Sequence, residues 1–326
     1  MPDPRGPIVD TTAASAAARA RVADAVAGLR GEVTFGASLK DLTSFKIGGN
    51  ADALAIPADE ADVAHLLRQA RAAAVPVFVL GGTNVLIHDG GIRGVVVSLA
   101  KLKAIRNEAD HVVYAEGGLG MPIVLQHVIR HGLAGLEWAA GIPGTVGGCV
   151  AMNAGTRLGE MKDSVKALRI ALPDGSLRDY SRDEIRFDYR RAHLPEGIVV
   201  GVWLQLRASS GHEVDHAIGD YLRYRKETQP LTMPNAGCVF KNPGPKSAGQ
   251  VIEEAGLKGL RVGDAEVSTK HANFIVNVGA ATAADVTTLI EQVKQRVKAS
   301  SGIQLELELK VVGEPTVAAA RRGGQA

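Results

Sequence analysis

The sequence predicts a chain of α/β and α+β character built from more than one domain, and three observations carry that reading. A capped helical pattern leading into a buried strand and a glycine turn occupies residues 59–84. Further apolar strand runs and a turn-centred hairpin fill the middle of the chain. After residue 210 the composition shifts, and a polar helix, a proline-rich crossing, an amphipathic helix and a segment of alternating charge follow. With 326 residues, two or three domains can each bury a core without a disulfide or metal staple.

Residues 1–20 are rich in Ala, Pro and Arg with no apolar period before Val22, which predicts a flexible tail. Asp59 caps a helix whose Val63, Leu66, Leu67 and Ala70 recur at helical spacing, and VPVFVLGG reads as a buried strand entering a glycine turn. GVVVSL and HVVYAEGG are strand runs. Pro122 opens a helix with Val124, Leu125, Val128 and Ile129 inward and Gly132 past its end. The stretch AAGIPGTVGGCVAMNAG, from Ala139 to Gly155, is too glycine-rich for a long helix and too apolar for a solvated loop, as expected of backbone packed against a ligand.

Downstream, Pro173-Asp174-Gly175 places turn chemistry between two alternating segments and predicts a hairpin, followed by the strand IVVGVWLQLRA. The shift at SSGHEVD divides the chain into domains at 21–210 and 211–315, with 316–326 a second tail. Thr282 caps the last helix, whose Val286, Leu289, Ile290, Val293 and Val297 form one apolar stripe. IQLELELKVV reads as a strand with Leu305, Leu307 and Leu309 on one side and Glu306, Glu308 and Lys310 on the other.

Charge and cysteine content narrow the function classes. Lys plus Arg number 37 against 35 Asp plus Glu, so no broad basic face for nucleic acid is expected and any anionic ligand must be caught locally. Cys149 and Cys238 form no CxxC pair and sit in no His cluster, which predicts neither a zinc site nor a disulfide and fits a reducing cytoplasm. No apolar run is long enough for a membrane span, and the amino terminus lacks the order of a signal peptide. A cytoplasmic, monomeric protein is the expectation.

Two glycine segments are candidate phosphate cradles. LGGTN directly follows a strand, where glycine backbone lets N–H groups approach an anion and Thr83 and Asn84 add side-chain donors. GIPGTVGG offers further N–H groups with little side-chain bulk. Singly, each is equally well a tight backbone turn, since neither carries the Walker pattern or GxGxxG.

Taken in order, TSFKIGGNADAL (Thr43–Leu54), LGGTN, AGIPGTVGG, FDYR (Phe187–Arg190), AGCVFKNP (Ala236–Pro243), KHANFIVN (Lys270–Asn277) and LELEL resemble the successive motifs of the MurB family of UDP-N-acetylenolpyruvoylglucosamine reductases, over residues 40–313. The short interval between FDYR and AGCVFKNP resembles the family type that lacks an extra substrate loop. The resemblance implies a two-lobed FAD-binding domain of the PCMH/vanillyl-alcohol-oxidase type plus a smaller α+β substrate-binding domain whose final strand returns toward the active site. It also implies FAD and NADPH as cofactors and a nucleotide-sugar substrate, whose enolpyruvyl ether is reduced to a lactyl ether in peptidoglycan precursor synthesis.

Carried over residue by residue, the resemblance assigns FAD contacts to Gly81, Gly82, Thr83, Asn84 and Val85, and to Gly141, Ile142, Pro143, Gly144, Thr145, Gly147 and Gly148. Arg190 matches the family's catalytic arginine, a planar cation suited to a carboxylate. Glu308 matches its acid, although strand parity leaves Glu306 equally placed and an alternating charged face also suits an exposed edge. Cys238 occupies the proton donor's position; a thiol near its reference value of about 8.5 is mostly protonated at neutral pH. Tyr189, Lys241 and Asn242 are expected at the substrate; Arg225 and Lys226 are candidates for its diphosphate by their charge alone, which equally suits solvated basic residues. Ala192, Leu307, Lys310 and a first glycine loop one residue short depart from the family pattern. Those departures keep two alternatives open, an oxidase of sugars or alcohols on the same FAD domain and a paralogue that binds flavin or nucleotide sugar without turnover.

Overall fold

The computed structural model of the chain describes residues 11–81 and 83–316; Gly82 and the outer parts of the two expected tails, 1–10 and 317–326, lie outside the described residues. Helix α1 (Thr11–Ala25) replaces the inner half of the expected amino-terminal tail. Alanine is the best helix former, and Val22, Ala25 and Val26 at the end of α1 are buried in the first core, which anchors the turns before them.

The first lobe is a four-stranded sheet in the order Glu32–Phe35, Ala51–Ile56, Ile92–Val97, Val77–Val79. Its last three strands are parallel, and α2 (Glu60–Ala72) covers one face with Val63, Leu66, Leu67 and Ala70. The expected cap is present, with Asp59 Oδ1 accepting the Asp62 N–H at 2.9 Å.

The second lobe is an antiparallel sheet of five strands in the order Leu177–Ser181, Val165–Ala171, Ile198–Gln205, Val112–Glu116, Ile105–Asn107. The predicted hairpin is the pair Val165–Ala171 and Leu177–Ser181. Helix α3 (Met121–Arg130) and the short α4 (Val146–Ala151) pack on this lobe. Helix α5 (Gly211–Thr228) joins them, because its buried Val214, Ile218 and Tyr221 enter the same core. The composition shift at residue 210 thus places α5 in the wrong domain: its polar composition reflects its outer face, while the packing decides its allegiance.

The third unit is a four-stranded antiparallel sheet, Asn235–Cys238, Phe274–Asn277, Ala265–Val267, Arg261–Val262, packed under α6 (Ala248–Glu254) and α7 (Ala283–Ser301). Thr282 and Asp285 form a capping box on α7. This unit is docked on the first lobe: Phe45, Ile47 and Leu86 enter its core, and the Asp89 carboxylate accepts the N–H groups of Ala283 (2.9 Å) and Ala284 (3.1 Å) at the start of α7.

The last segment departs from the predicted strand. Only Lys310–Val312 is a strand, pairing parallel with Val85–Ile87 of the first lobe. Before it, Leu307 bridges to Phe240, and the successive N–H groups of Glu308 (2.9 Å) and Leu309 (3.2 Å) donate to one carbonyl, that of Val239. Two donors on one acceptor mark a bulge, which re-aims side chains and breaks the period of two. Glu306 and Glu308 therefore do not share a side: the Glu306 side chain is 75% exposed, that of Glu308 only 12%.

Candidate active site

The three units meet around a cavity of about 870 Å³, large enough for a dinucleotide cofactor with part of a substrate. One wall is glycine backbone. The first segment, at Gly81 and Thr83, faces the second so closely that a Cβ on Gly81 would lie 3.7 Å from Gly148 Cα, and one on Gly144 only 2.8 Å from Thr83 Oγ1. Gly144 also has φ +100°, which L side chains rarely adopt. Among the described residues the N–H groups of Thr83, Asn84, Gly144 and Thr145 meet no acceptor. Orphaned donors on a wall without side-chain bulk fit a diphosphate passing close to the backbone, so the residues present suit the FAD that the sequence implies.

Val85, Ile142, Pro143, Thr145, Gly147 and Gly148 line the cavity as well. Gly141 does not; it turns toward Arg225, whose Nη1 is 3.1 Å from where its Cβ would stand. Asn84 plays a second part: its Nδ2 donates to the Glu308 carbonyl at 3.0 Å, tying the first glycine loop to the bulged segment.

The opposite wall carries the chemistry. Arg190 sits at the tip of a hairpin, Arg186–Asp188 with Arg191–His193, in a two-residue turn with Tyr189. Its φ of 58° is left-handed and unfavourable for arginine, the kind of backbone strain that gathers at functional sites. Arg190 Nε donates to Glu308 Oε1 at 3.1 Å, with side-chain exposures of 18% and 12%. Burial pushes the Glu308 carboxyl up from its ordinary value, and the Arg190 guanidinium only partly offsets this.

Cys238 lies between these groups and Arg225. Burial, followed by the charge of Glu308, pushes its thiol up to about 12, against the opposing pull of Arg190 and Arg225. The reference value assumed from sequence is therefore too low, and the thiol holds its proton far more firmly. The strand carrying Cys238 is braced by Asn273, whose Oδ1 accepts the Phe240 N–H (2.9 Å) and whose Nδ2 donates to the Phe240 carbonyl (2.8 Å).

Arg225 is nearly fully buried at the cavity wall. It donates to the Ala140 carbonyl and to Gln229 Oε1, both at 3.0 Å, and among the described residues no carboxylate pairs with it. Burial lowers its pKa, and an incoming anion would relieve that cost. Other expected substrate residues stand apart. Lys226 is exposed on α5, away from the cavity lining, and Lys241 pairs with the exposed Glu306 at 3.4 Å. Tyr189 is 49% exposed, its ring 5.0 Å from the Arg190 guanidinium rather than in the cavity lining. Asn242 does line the cavity.

Sequence reasoning missed Tyr221, Tyr224 and Arg157, which also line the cavity. Tyr221 and Tyr224 share a face of α5 with Arg225, at helical spacing that α5 could have revealed; Arg157 carried no sequence signal. Among the described residues no group of three or more His, Cys, Asp or Glu is placed to hold a metal, and no helix is long and apolar enough to cross a membrane.

Comparisons with known proteins identify the family. The FAD binding domain family matches residues 51–181, and the C-terminal domain of UDP-N-acetylenolpyruvoylglucosamine reductase matches residues 229–312. The UDP-N-acetylenolpyruvoylglucosamine reductase of Heliobacterium modesticaldum is 46% identical over 276 residues, 83% of this chain and 88% of that protein. Its counterpart from Syntrophus aciditrophicus is 44% identical over 290 residues, 87% of this chain and 93% of its own length. The crystal structure of UDP-N-acetylenolpyruvylglucosamine reductase (MurB) from Thermus caldophilus superposes with a TM-score of 0.75 at 40% identity, covering 87% of this chain and all of that one. With sequence and fold shared over most of both lengths, around a cavity that unites glycine backbone with a buried arginine–glutamate pair, the chain belongs to the UDP-N-acetylenolpyruvoylglucosamine reductase (MurB) family.

Proposed function

We propose that this chain reduces UDP-N-acetylenolpyruvoylglucosamine to UDP-N-acetylmuramate, with NADPH as reductant and FAD as cofactor. The observation that carries the reading is the Arg190–Glu308 pair beside the Cys238 thiol, in the same cavity as the two facing glycine segments. When bound, FAD supplies the hydride chemistry between NADPH and the enolpyruvyl double bond. The chain's own residues must hold the charge that develops and deliver the proton. Hydride addition to the terminal vinyl carbon leaves an electron pair on the adjacent carbon, delocalised into its carboxylate.

The Arg190 guanidinium holds that carboxylate, and Glu308, which accepts from Arg190 Nε at 3.1 Å, holds the guanidinium in place beside it. Cys238 Sγ gives its proton to the carbon next to the carboxylate, completing the lactyl ether. A thiol pushed up to about 12 is a weak acid in water, yet still far more acidic than the C–H it creates next to a carboxylate, so the transfer runs downhill. Thr83, Asn84, Gly144 and Thr145 would hold the cofactor diphosphate through their backbone N–H groups. Reliance on NADPH and a nucleotide sugar, together with two free cysteines, favours a cytoplasmic setting.

Two measurements test this assignment. The purified protein is expected to be yellow, and acid precipitation is expected to release all of its FAD, because LGGTN contains no histidine for covalent attachment. Colourless protein that takes up no added flavin would contradict it. Arg225→Met keeps the bulk of the side chain and removes its charge; it is expected to raise KM for the enolpyruvyl substrate ~10- to 100-fold with a smaller change in kcat, as when an anion contact made equally in ground and transition states is lost. A rise in KM for NADPH alone would move Arg225 to the reductant instead.

A further inference from the structure

Asn153 is fully buried just past α4, with φ 44°, a left-handed conformation that asparagine tolerates better than most residues. Its side-chain amide is fully engaged. Nδ2 donates to the Asp188 carbonyl at 3.0 Å and to the Glu160 carboxylate, while Oδ1 accepts the Lys162 N–H at 3.0 Å. Asp188 closes the strand that leads directly into the Tyr189–Arg190 turn. The hairpin bearing Arg190 is a two-stranded sheet of its own, outside the five-stranded sheet, so its orientation depends on attachments of this kind.

We infer that Asn153 is a positioning residue, which fixes the Arg190 hairpin against the glycine segment Gly141–Gly148 and so sets where the guanidinium stands relative to the cofactor wall. The inference deepens the reading above and rests on the role given there to Arg190. Asn153 follows the glycine segment by way of α4 and is hydrogen-bonded to the hairpin; one buried amide therefore joins the end of the helix that the segment opens to the turn that holds the substrate carboxylate. The ladder closed by Asp188 and Arg191 ties the two strands to each other but to no larger sheet, so loss of the Asn153 anchor lets the guanidinium drift from Glu308. Reaction geometry tolerates little such drift, since displacements near 1 Å cost on the order of 10²-fold in rate.

Asn153→Gly tests this, because glycine accepts the left-handed backbone while removing the amide. Oxidation of the reduced flavin by the enolpyruvyl substrate is expected to slow ~10-fold or more, with reduction by NADPH within about twofold of the parent. Hydrogen exchange at the amides of residues 186–193 is expected to quicken, with α7 unaffected. A double-mutant cycle separates positioning from general support: in an Arg190→Ala background, Asn153→Gly should cost less than about twofold more. Effects that multiply in the cycle, equal slowing of both half-reactions, or parental reoxidation in Asn153→Gly overturn the inference. Should Asn153→Gly fail to fold, Asn153→Asp combined with Glu160→Gln, so that no second carboxylate faces it, keeps the shape and the acceptor for Lys162 but loses the donor to Asp188, and goes through the same cycle. If neither folds, Asn153 supports the fold as a whole and the inference falls. Arg190→Ala measured by itself reports on the reading beneath: parental reoxidation there removes the role of Arg190, whatever Asn153 does.

Discussion

Cys238→Ala is expected to slow oxidation of the NADPH-reduced enzyme by substrate ~10²- to 10⁴-fold, the range for a positioned acid, while reduction of the flavin by NADPH stays near the parental rate. Only the second half-reaction needs the proton. Stopped-flow traces of the two half-reactions check it. The sign of the thiol's shift adds a pH dependence: Cys238 is raised, to about 12, so its proton is retained as pH rises and is lost only near that value. Parental reoxidation should therefore show no thiol-linked fall across pH 8–10, where an ordinary thiol of about 8.5 would already have ionised. Alkylation of Cys238 by iodoacetamide should be correspondingly slow, since the thiolate is the nucleophile. Cys238→Ser should recover much of the rate, because a hydroxyl has similar reach. Reoxidation of Cys238→Ala at the parental rate would return Cys238 to the role of a packed core thiol.

Glu308→Leu, which leaves no polar group beside Arg190, carries the second large effect. Loss of the acid beside Arg190 is expected to slow substrate-driven reoxidation ~10²-fold or more, as when preorganised stabilisation of transition-state charge is removed. Glu306→Gln is expected to act within about threefold, because an ion pair at 75% exposure is largely screened by water. The same stopped-flow measurement decides between the two glutamates. A reversal of the two effects would mean that the bulge at Val239 does not aim Glu308 as described.

These two glutamates show where sequence stops being legible. Short-range signals were readable: the Asp59 cap of α2, the hairpin around Asp174-Gly175 and the Thr282–Asp285 capping box each depend on residues within a few positions. The bulge that separates Glu306 from Glu308 depends on the Val239 carbonyl, a partner distant in the chain, and strand parity has no term for it. α5 misled in the same way, since its composition reports a polar outer face whereas Val214, Ile218 and Tyr221 report the core it joins. Charge alone also points to Lys226, and adjacency in a motif to Lys241, yet neither lines the cavity, because neighbours on a helix or an extended segment point in different directions. The order of motifs singles out Arg190, Cys238 and Glu308; their convergence on one cavity belongs to tertiary structure alone.

An anaerobic redox cycle of the purified protein, followed by its visible absorbance, tests the assigned reaction most directly. Addition of NADPH is predicted to bleach the yellow flavin, and addition of UDP-N-acetylenolpyruvoylglucosamine without oxygen is predicted to restore the colour with formation of UDP-N-acetylmuramate. Flavin that is bleached by NADPH but regains its colour only when oxygen is admitted, with the enolpyruvyl substrate unchanged, would contradict it.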